Sequence, residues 1–290
     1  MSIDALQNKI RKKKNPAALV LSPVPDQIPE PYLQEGQGNA AQAAGDYCCA
    51  LLGGLREIVP AVRVNAGAFQ LLGPGGTEQM IRVLKKADEM GYYVILDWMR
   101  METPAEAKAA SERILKEECF PCDGVVISGY AGTDCMKHWF KAAGQKKDVY
   151  VVVKTANKSG AELQDLQSGG RMLFTASADL VGRLGESAME RCGYSRLAVM
   201  AGAYSAGSLK TLRERYPRLF LLVDGLDETG CNAKNASNAF DRVGHGALVC
   251  AGKSIFAAWK DAETGLDPIA AAAEAAERMK RNLARYVTVL

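Results

Sequence analysis

The 290-residue chain is poor in histidine and has no regular cysteine pattern. It contains two histidines, His138 and His245, and eight cysteines at irregular spacings. Irregular spacing in a chain of this length indicates reduced thiols in the cytosol rather than a disulfide framework. Cys119 and Cys122 form the one Cys-x-x-Cys pair, but zinc would need two further ligands. We expect two ordinary thiols in a helix-to-strand loop, with no metal site and no cofactor.

The chain also lacks a long apolar run and a large net charge. No run approaches the ~20 residues of a membrane span, and a formal charge of +3 requires no polyanionic partner. The apolar stretch 17–21 that follows the basic run Arg11–Lys14 is shorter than the ~7–15 residues of a signal peptide core. The basic run is interpreted as a solvated helix end, with nucleic-acid contact as the alternative. We expect a cytoplasmic protein that binds neither membrane nor nucleic acid.

Short apolar runs rich in β-branched residues are abundant, and hydrophobic residues make up 48% of the chain. Continuous apolar runs, as opposed to alternating ones, are typical of strands buried on both faces of a parallel sheet. The predicted strands are Ala18–Leu21, Val62–Val64, Tyr92–Leu96, Gly124–Ile127, Val149–Val153, Leu197–Met200, Phe220–Val223 and Ala247–Val249.

Amphipathic segments separate these runs. Helices are predicted at Thr77–Met90, Ala105–Glu118, Ser208–Tyr216 and Asn232–Val243, with a final helix from Asp267 to Tyr286. Eight strand–helix alternations without a composition break predict one α/β domain over 1–290, a (β/α)8 barrel. A basic N-terminal helix would occupy 1–16, and a C-terminal helix within 264–290 would pack outside. A doubly wound open sheet is the alternative.

In such a barrel, chemistry lies at the carboxyl ends of the strands. The side chains there are mostly small and polar, and no nucleophile–base pair stands out, so they predict a binding mouth. They are Ser22, Arg63, Asn65, Asp97, Met99, Ser128, Thr155, Asn157, Ala201, Asp224, Cys250 and Lys253.

The segment Val94–Glu102 resembles the long-form bacterial orotidine 5′-phosphate decarboxylases, whose third strand ends in Asp-x-Lys-Arg-x-Asp. Other segments are similar in the same order along almost the whole chain. They are 61–69 with Gly73, Gly129–Asp134, Thr155–Asn157 with Leu163-Gln164, 225–230 and Gly252–Ile255.

The departures from the family pattern lie at the chemical positions. Seven residues of this chain differ from those of the family: Ser22 (Asp in the family), Arg63 (Lys), Met99 (the hallmark Lys), Glu102 (the second hallmark Asp), Ala156 (a base-contacting Ser), Thr229 (Gln) and Lys253 (the phosphate-binding Arg). Asp97 is kept. The resemblance implies that the hallmark Lys stabilises the developing carbanion and protonates it. Methionine does neither, and a guanidinium is a poor proton donor. We expect Met99 to fill core space, Arg100 to face away from the mouth, and Arg63 to pair with Asp97 or Glu102.

The main hypothesis is therefore a decarboxylase-like barrel that no longer decarboxylates and binds a ligand or partner at the old mouth. Remnant catalytic positions are Arg63, Asp97 and Glu102, and the predicted ligand-binding residues are Thr155, Ala156, Asn157, Gly225, Thr229, Gly230 and Lys253. A phosphorylated nucleotide or another small anion is the expected ligand, although Asp227 and Glu228 would repel a phosphate.

Two alternatives remain open, and an assembly is implied. The chain could be a weak decarboxylase in pyrimidine (UMP) synthesis that uses Arg63, Asp97 and Glu102, or Asp97 and Glu102 could hold a divalent cation if a third oxygen ligand were present. The resemblance also implies a homodimer, in which the loop around Glu102 lies near its symmetry mate.

Overall fold

The computed structural model describes residues 1–100, 102–116, 119–226, 231–261 and 266–290. Among these residues, eight parallel strands form the barrel: β1 Ala17–Leu21, β2 Ala61–Asn65, β3 Tyr93–Asp97, β4 Gly124–Ser128, β5 Asp148–Lys154, β8 Ser195–Gly202, β9 Leu219–Asp224 and β10 Ala247–Ala251. They close in the order β1-β10-β9-β8-β5-β4-β3-β2. Because β1 pairs in parallel with both β2 and β10, the barrel is confirmed and the open-sheet alternative is wrong.

All eight predicted apolar runs form barrel strands. One short antiparallel hairpin, β6 Gln167–Ser168 with β7 Arg171–Met172, was not predicted. Its strands are exposed and carry no apolar run, so the hydrophobic pattern could not indicate them.

Helices surround the barrel. They are α1 Ile3–Lys13, α2 Glu30–Glu35, α3 Ala40–Leu55, α4 Ala66–Gln70, α5 Pro74–Glu89, α6 Pro104–Ser111, α7 Thr133–Ala143, α8 Ala161–Gln164, α9 Leu173–Gly185, α10 Ala206–Arg215, α11 Ala233–Ser237, α12 Lys253–Phe256 and α13 Pro268–Ala284. None of the described helices is long and apolar enough to cross a membrane.

Two predicted helices differ from the structure. The segment predicted as Ala105–Glu118 is helical from Pro104 to Ser111 and continues as a π-helical turn, Glu112–Lys116. The segment predicted as Asn232–Val243 is helical only over Ala233–Ser237. Asn238 caps that helix, and glycines with positive φ follow at 244 and 246, so the chain turns early towards β10.

The interior of the barrel and the helix at the amino end of its strands form one apolar cluster. Alternate strand residues point inward, as the two-residue period of a strand requires, and they meet one face of α1. Ile3, Leu6 and Ile10 of that helix are fully buried against Tyr93 and Phe220. The N-terminal helix therefore closes the amino end of the barrel and leaves the carboxyl end open as a mouth.

Candidate functional site

A cavity of about 450 Å³ opens at the carboxyl ends of β1, β2, β9 and β10. It is lined by Val20, Ser22, Val24, Gln27, Arg63, Ala156, Asp224, Gly225, Gly252, Lys253 and Phe256. Ser22, Arg63, Ala156, Gly225 and Lys253 were singled out from the sequence, and the structure brings them to this one cavity. Its volume lies within the ~300–1,000 Å³ of small-molecule sites.

Strand geometry explains why charged side chains reach the mouth. Ala61 faces the barrel interior, so Arg63, two residues on, faces inward one layer higher. On β9, Phe220 and Leu222 face inward, and Asp224 continues that row at the strand end. The inward rows change from apolar to charged where they approach solvent, and this change marks the site.

Arg63 joins two carboxylates in one ion network. Its Nη1 donates to Asp224 Oδ1 at 2.7 Å and its Nη2 to Asp224 Oδ2 at 3.4 Å. Its Nε lies 3.2 Å from Asp97 Oδ2, an ion-pair distance without good hydrogen-bond geometry. Arg63 and Asp97 are each only 6% exposed. The predicted Arg63–Asp97 pair is therefore present, and the second partner is Asp224.

Burial and the opposite charge of the ion-pair partner shift the pKa values of Asp97 and Arg63 in opposite directions. Burial raises the pKa of Asp97, as does the neighbouring Asp224 charge, and Arg63 and the Met99 amide oppose them only in part. Burial tends to lower the pKa of Arg63, but Asp224 and Asp97 outweigh it and raise that pKa above its ordinary value. The guanidinium stays charged and cannot supply a proton near neutral pH.

Asp224 is the residue that sequence reasoning undervalued. It was recognised as a strand end, but its role as the bidentate partner of Arg63 was not predicted. The two lie 161 residues apart, so their contact depends on closure of the barrel. The only local sign in the sequence is that Asp224 follows Phe220 and Leu222 at the two-residue spacing of the inward-facing positions of β9.

Met99 does not fill core space, and that prediction is wrong. Its side chain is 51% exposed, on the wall of a second cavity formed by the β2 and β3 loops. Beside it, the Arg100 guanidinium lies 4.5 Å from the Trp98 ring centroid and donates to Gln70. Arg100 thus lines the second cavity and not the mouth. Because β3 ends at Asp97, Met99 lies beyond the strand and is released from its alternation.

Glu102 does not pair with Arg63, and that alternative is wrong. Its two carboxylate oxygens accept hydrogen bonds from the indole N–H groups of Trp98, at 3.1 Å, and Trp139, at 3.0 Å. Trp139 is buried on α7, so Glu102 is held against the outer helix layer of its own chain. Thr103 then caps α6 through a capping box with Glu106.

The segment after β5 contributes unequally to the mouth. Ala156 lines the cavity, whereas the Thr155 hydroxyl bonds to the Gln164 side chain and the Asn157 amide donates to Ser159. Ala156 packs so closely on the end of β8 that a Cβ on Gly202 would lie 2.3 Å from the Ala156 Cα. The backbone here is therefore fixed by a glycine that sequence reasoning did not single out.

The predicted phosphate cup is described only in part. Gly225 has a φ of 75°, a conformation that favours glycine, and Lys253 is the first residue of α12. Within the described residues, no carboxylate lies at ion-pair distance from Lys253. Thr229 and Gly230, together with the acids Asp227 and Glu228, lie outside the described residues.

Among the described residues, the mouth offers no obvious nucleophile. Cys250 is buried next to Arg63; burial is the main cause that raises its pKa to about 12, so the thiol stays protonated. Within the described ranges, no group of three or more His, Cys, Asp or Glu side chains could hold a metal ion. What remains is a charged cavity with both positive and negative groups, suited to binding a polar molecule.

Comparisons with known proteins agree with this architecture. No family model matches the chain. The orotidine 5′-phosphate decarboxylase of Rhodopirellula baltica is 29% identical over 253 residues, 84% of each chain. That of Clostridium novyi is 25% identical over 265 residues, 91% of each chain. Over most of its length, the chain is therefore similar to orotidine 5′-phosphate decarboxylases.

Solved structures of the orotidine 5′-phosphate decarboxylase family share this barrel. The OMP decarboxylase of Leishmania donovani superposes with a TM-score of 0.73 at 25% identity and covers 98% of this chain and 99% of its own. The orotidine 5′-monophosphate decarboxylase of Plasmodium berghei gives 0.78 at 14% identity, with 98% of each chain covered. At that identity the second likeness concerns the fold alone.

Proposed function

We propose that this protein is a non-decarboxylating member of the orotidine 5′-phosphate decarboxylase family, which binds a phosphorylated nucleotide in the mouth of the barrel. The observation that carries the proposal is the Arg63–Asp97–Asp224 network. The cation that lies deepest in the mouth is a permanently charged guanidinium already engaged by two carboxylates. Met99, at the position of the family's proton donor, carries no proton to transfer.

Binding is supported by the groups that remain. Lys253 offers a positive charge on one wall of the 450 Å³ cavity, and Asp224 offers a partly exposed carboxylate on another. A nucleoside monophosphate has a matching arrangement, an anionic phosphate at one end and hydroxyl and N–H donors at the other. Lys253 would hold the phosphate as a point charge.

Binding is tested on the purified protein. Calorimetric titration with UMP should give a measurable affinity, and Lys253→Ala should weaken it about 10-fold or more because a charge-assisted contact is lost. Lys260→Ala, an exposed lysine outside the cavity, should leave it unchanged. No UMP binding by the wild-type protein would refute the proposal.

A weak decarboxylase in UMP synthesis is the second candidate, favoured by one observation. Asp97 is a buried carboxylate whose pKa is raised, next to a cation, as in many acid–base centres. In such a decarboxylase, Asp224 would be the second carboxylate beside Arg63, the role that the sequence suggested for Glu102. Slow loss of orotidine 5′-phosphate absorbance that disappears in Asp97→Asn would support it.

We also propose that the protein is a homodimer that acts in the cytoplasm. Leu71 is 90% exposed and, with Met99, lines the second cavity next to the mouth, a position where a second copy would cover apolar surface. Light scattering at micromolar concentration should give twice the chain mass, and Leu71→Glu should give monomers. Leu163→Glu, an equally apolar exposed position after β5, is the control. A monomeric wild type would refute this assembly.

A further inference from the structure

A groove on the outside of the barrel lies between α9 and the turn that follows α10, with a cavity of about 750 Å³. Its α9 wall carries Asp179, Arg183 and Glu186, which share one helix face at spacings of four and three residues. Ser195 and Leu219, the first residues of β8 and β9, close its inner side. The groove is therefore open towards the amino end of the barrel, separate from the mouth.

Positive charge dominates this groove. Four arginines line it, Arg171, Arg183, Arg215 and Arg218, against two carboxylates, Asp179 and Glu186. A cavity of this size and charge is not needed to stabilise the barrel. The two apolar cores lie inside the barrel and between its strands and the surrounding helices. Its volume lies within the ~300–1,000 Å³ typical of ligand sites.

Asp179 positions two of the guanidiniums. Arg171 Nη1 donates to Asp179 Oδ2 at 2.7 Å, Arg215 Nη2 at 3.1 Å, and the Tyr216 hydroxyl donates to Oδ1. Burial opposes ionisation of Asp179, but the Tyr216 hydrogen bond and the two arginines outweigh it and lower its pKa. One carboxylate cannot occupy the five N–H donors of each guanidinium, so this arrangement keeps donors oriented for another anion.

The other two arginines have no such partner. Arg183 and Arg218 are exposed, and neither side chain makes an ion pair or hydrogen bond within the described residues. Between the arginines the groove is lined by apolar surface from Met189, Pro217 and Leu219. Anion-binding groups thus flank an apolar floor.

We propose that this groove binds a small organic phosphate ester, with its phosphate on the arginines and its apolar body on the floor. Guanidinium groups match phosphate oxygens in bidentate geometry and retain their charge at every physiological pH. The groove's volume of about 750 Å³ is that of a small-molecule site. This site is independent of the ligand proposed for the mouth.

Calorimetry with phenyl phosphate and with inorganic phosphate tests this site on the full-length protein at low ionic strength. The double variant Arg183→Gln/Arg218→Gln should bind phenyl phosphate at least about 10-fold more weakly than the wild type. Arg242→Gln removes an exposed arginine outside the groove and should change the affinity less than about twofold. Lys253→Ala removes the phosphate contact proposed for the mouth. It should leave the affinity of the groove for phenyl phosphate unchanged, so the two sites are distinguished.

Several results would overturn the proposal. Wild-type affinity in the double variant, or no binding of phenyl phosphate by the wild-type protein, would exclude the groove as an anion site. Equal affinities for inorganic phosphate and phenyl phosphate would exclude the ester. If single-stranded RNA or an acidic peptide displaced phenyl phosphate and bound more tightly through the same arginines, the groove would be a macromolecular interface instead. Each variant must unfold at the wild-type midpoint.

Discussion

Replacing Arg63 with methionine is the perturbation for which the structure allows the most detailed prediction. The side chain is 6% exposed, and its removal leaves Asp97 and Asp224 facing each other without a cation. Removing one partner of a buried ion pair costs ~3–5 kcal/mol, because the remaining charge stays desolvated. At ~2–4 °C per kcal/mol for a chain of this size, the midpoint should fall by roughly 6–20 °C.

The pH dependence of that loss is the more specific signature. Burial already raises the pKa of Asp97 in the folded state, and without the opposing charge of Arg63 that pKa should rise further. A group with a raised folded pKa stabilises the fold below its unfolded pKa, and this contribution is lost as the pH rises through the folded pKa. Arg63→Met should therefore be less damaging at acidic pH than at neutral pH.

Urea unfolding of wild type and variant at a series of pH values measures both effects. Arg242→Met, at an exposed position, should change stability by less than about 0.5 kcal/mol. The double variant Arg63→Met/Asp224→Asn should recover part of the loss, because it removes one of the two facing carboxylates. A pH-independent loss, or a loss below about 1 kcal/mol, would refute the network as described.

Three further predictions concern the barrel itself. Burial raises the pKa of Asp148 to about 8, so the stability of the wild type should fall as the pH rises through that value. Asp148→Asn should flatten the plot of stability against pH, and an unchanged plot would refute this. Leu6→Ala, in the helix that closes the barrel, should cost ~2–5 kcal/mol by urea unfolding, and a cost under 1 kcal/mol would show that α1 is not packed as described. Gly202→Ala should cost roughly 1–3 kcal/mol, since the new Cβ would lie 2.3 Å from Ala156 Cα, and wild-type stability would contradict that contact.

The fold was predictable because a parallel barrel leaves a strong trace in sequence. Each strand is buried on both faces, so each appears as a continuous apolar run, and all eight runs were found. The exposed hairpin 167–172 has no such trace. Closure itself follows from pairing of β1 with β10, a contact between the two ends of the chain that a local pattern does not encode.

The candidate site was predictable in position but not in its contacts. Strand ends located Arg63, Asp97 and Lys253 correctly, because parallel strands place their carboxyl ends at one edge. The pairing of Arg63 with Asp224, and of Glu102 with Trp98 and Trp139, depends on contacts between distant segments. The apolar side chain of Met99 predicts burial, but the residue follows the end of β3, lies in a loop and is exposed.

Whether the purified protein decarboxylates orotidine 5′-phosphate tests the central claim most directly. The measurement is loss of substrate absorbance under saturating substrate, with the Rhodopirellula baltica relative as the active control. We predict no turnover above background, because Arg63 is a permanently charged cation bound to Asp224 and Met99 has no proton to give. Met99→Lys alone should not give activity, since the chain has Ser22 where the sequence resemblance implies an acid beside the ammonium. Robust turnover by the unaltered chain would contradict the account and show that Arg63 and its two carboxylates suffice.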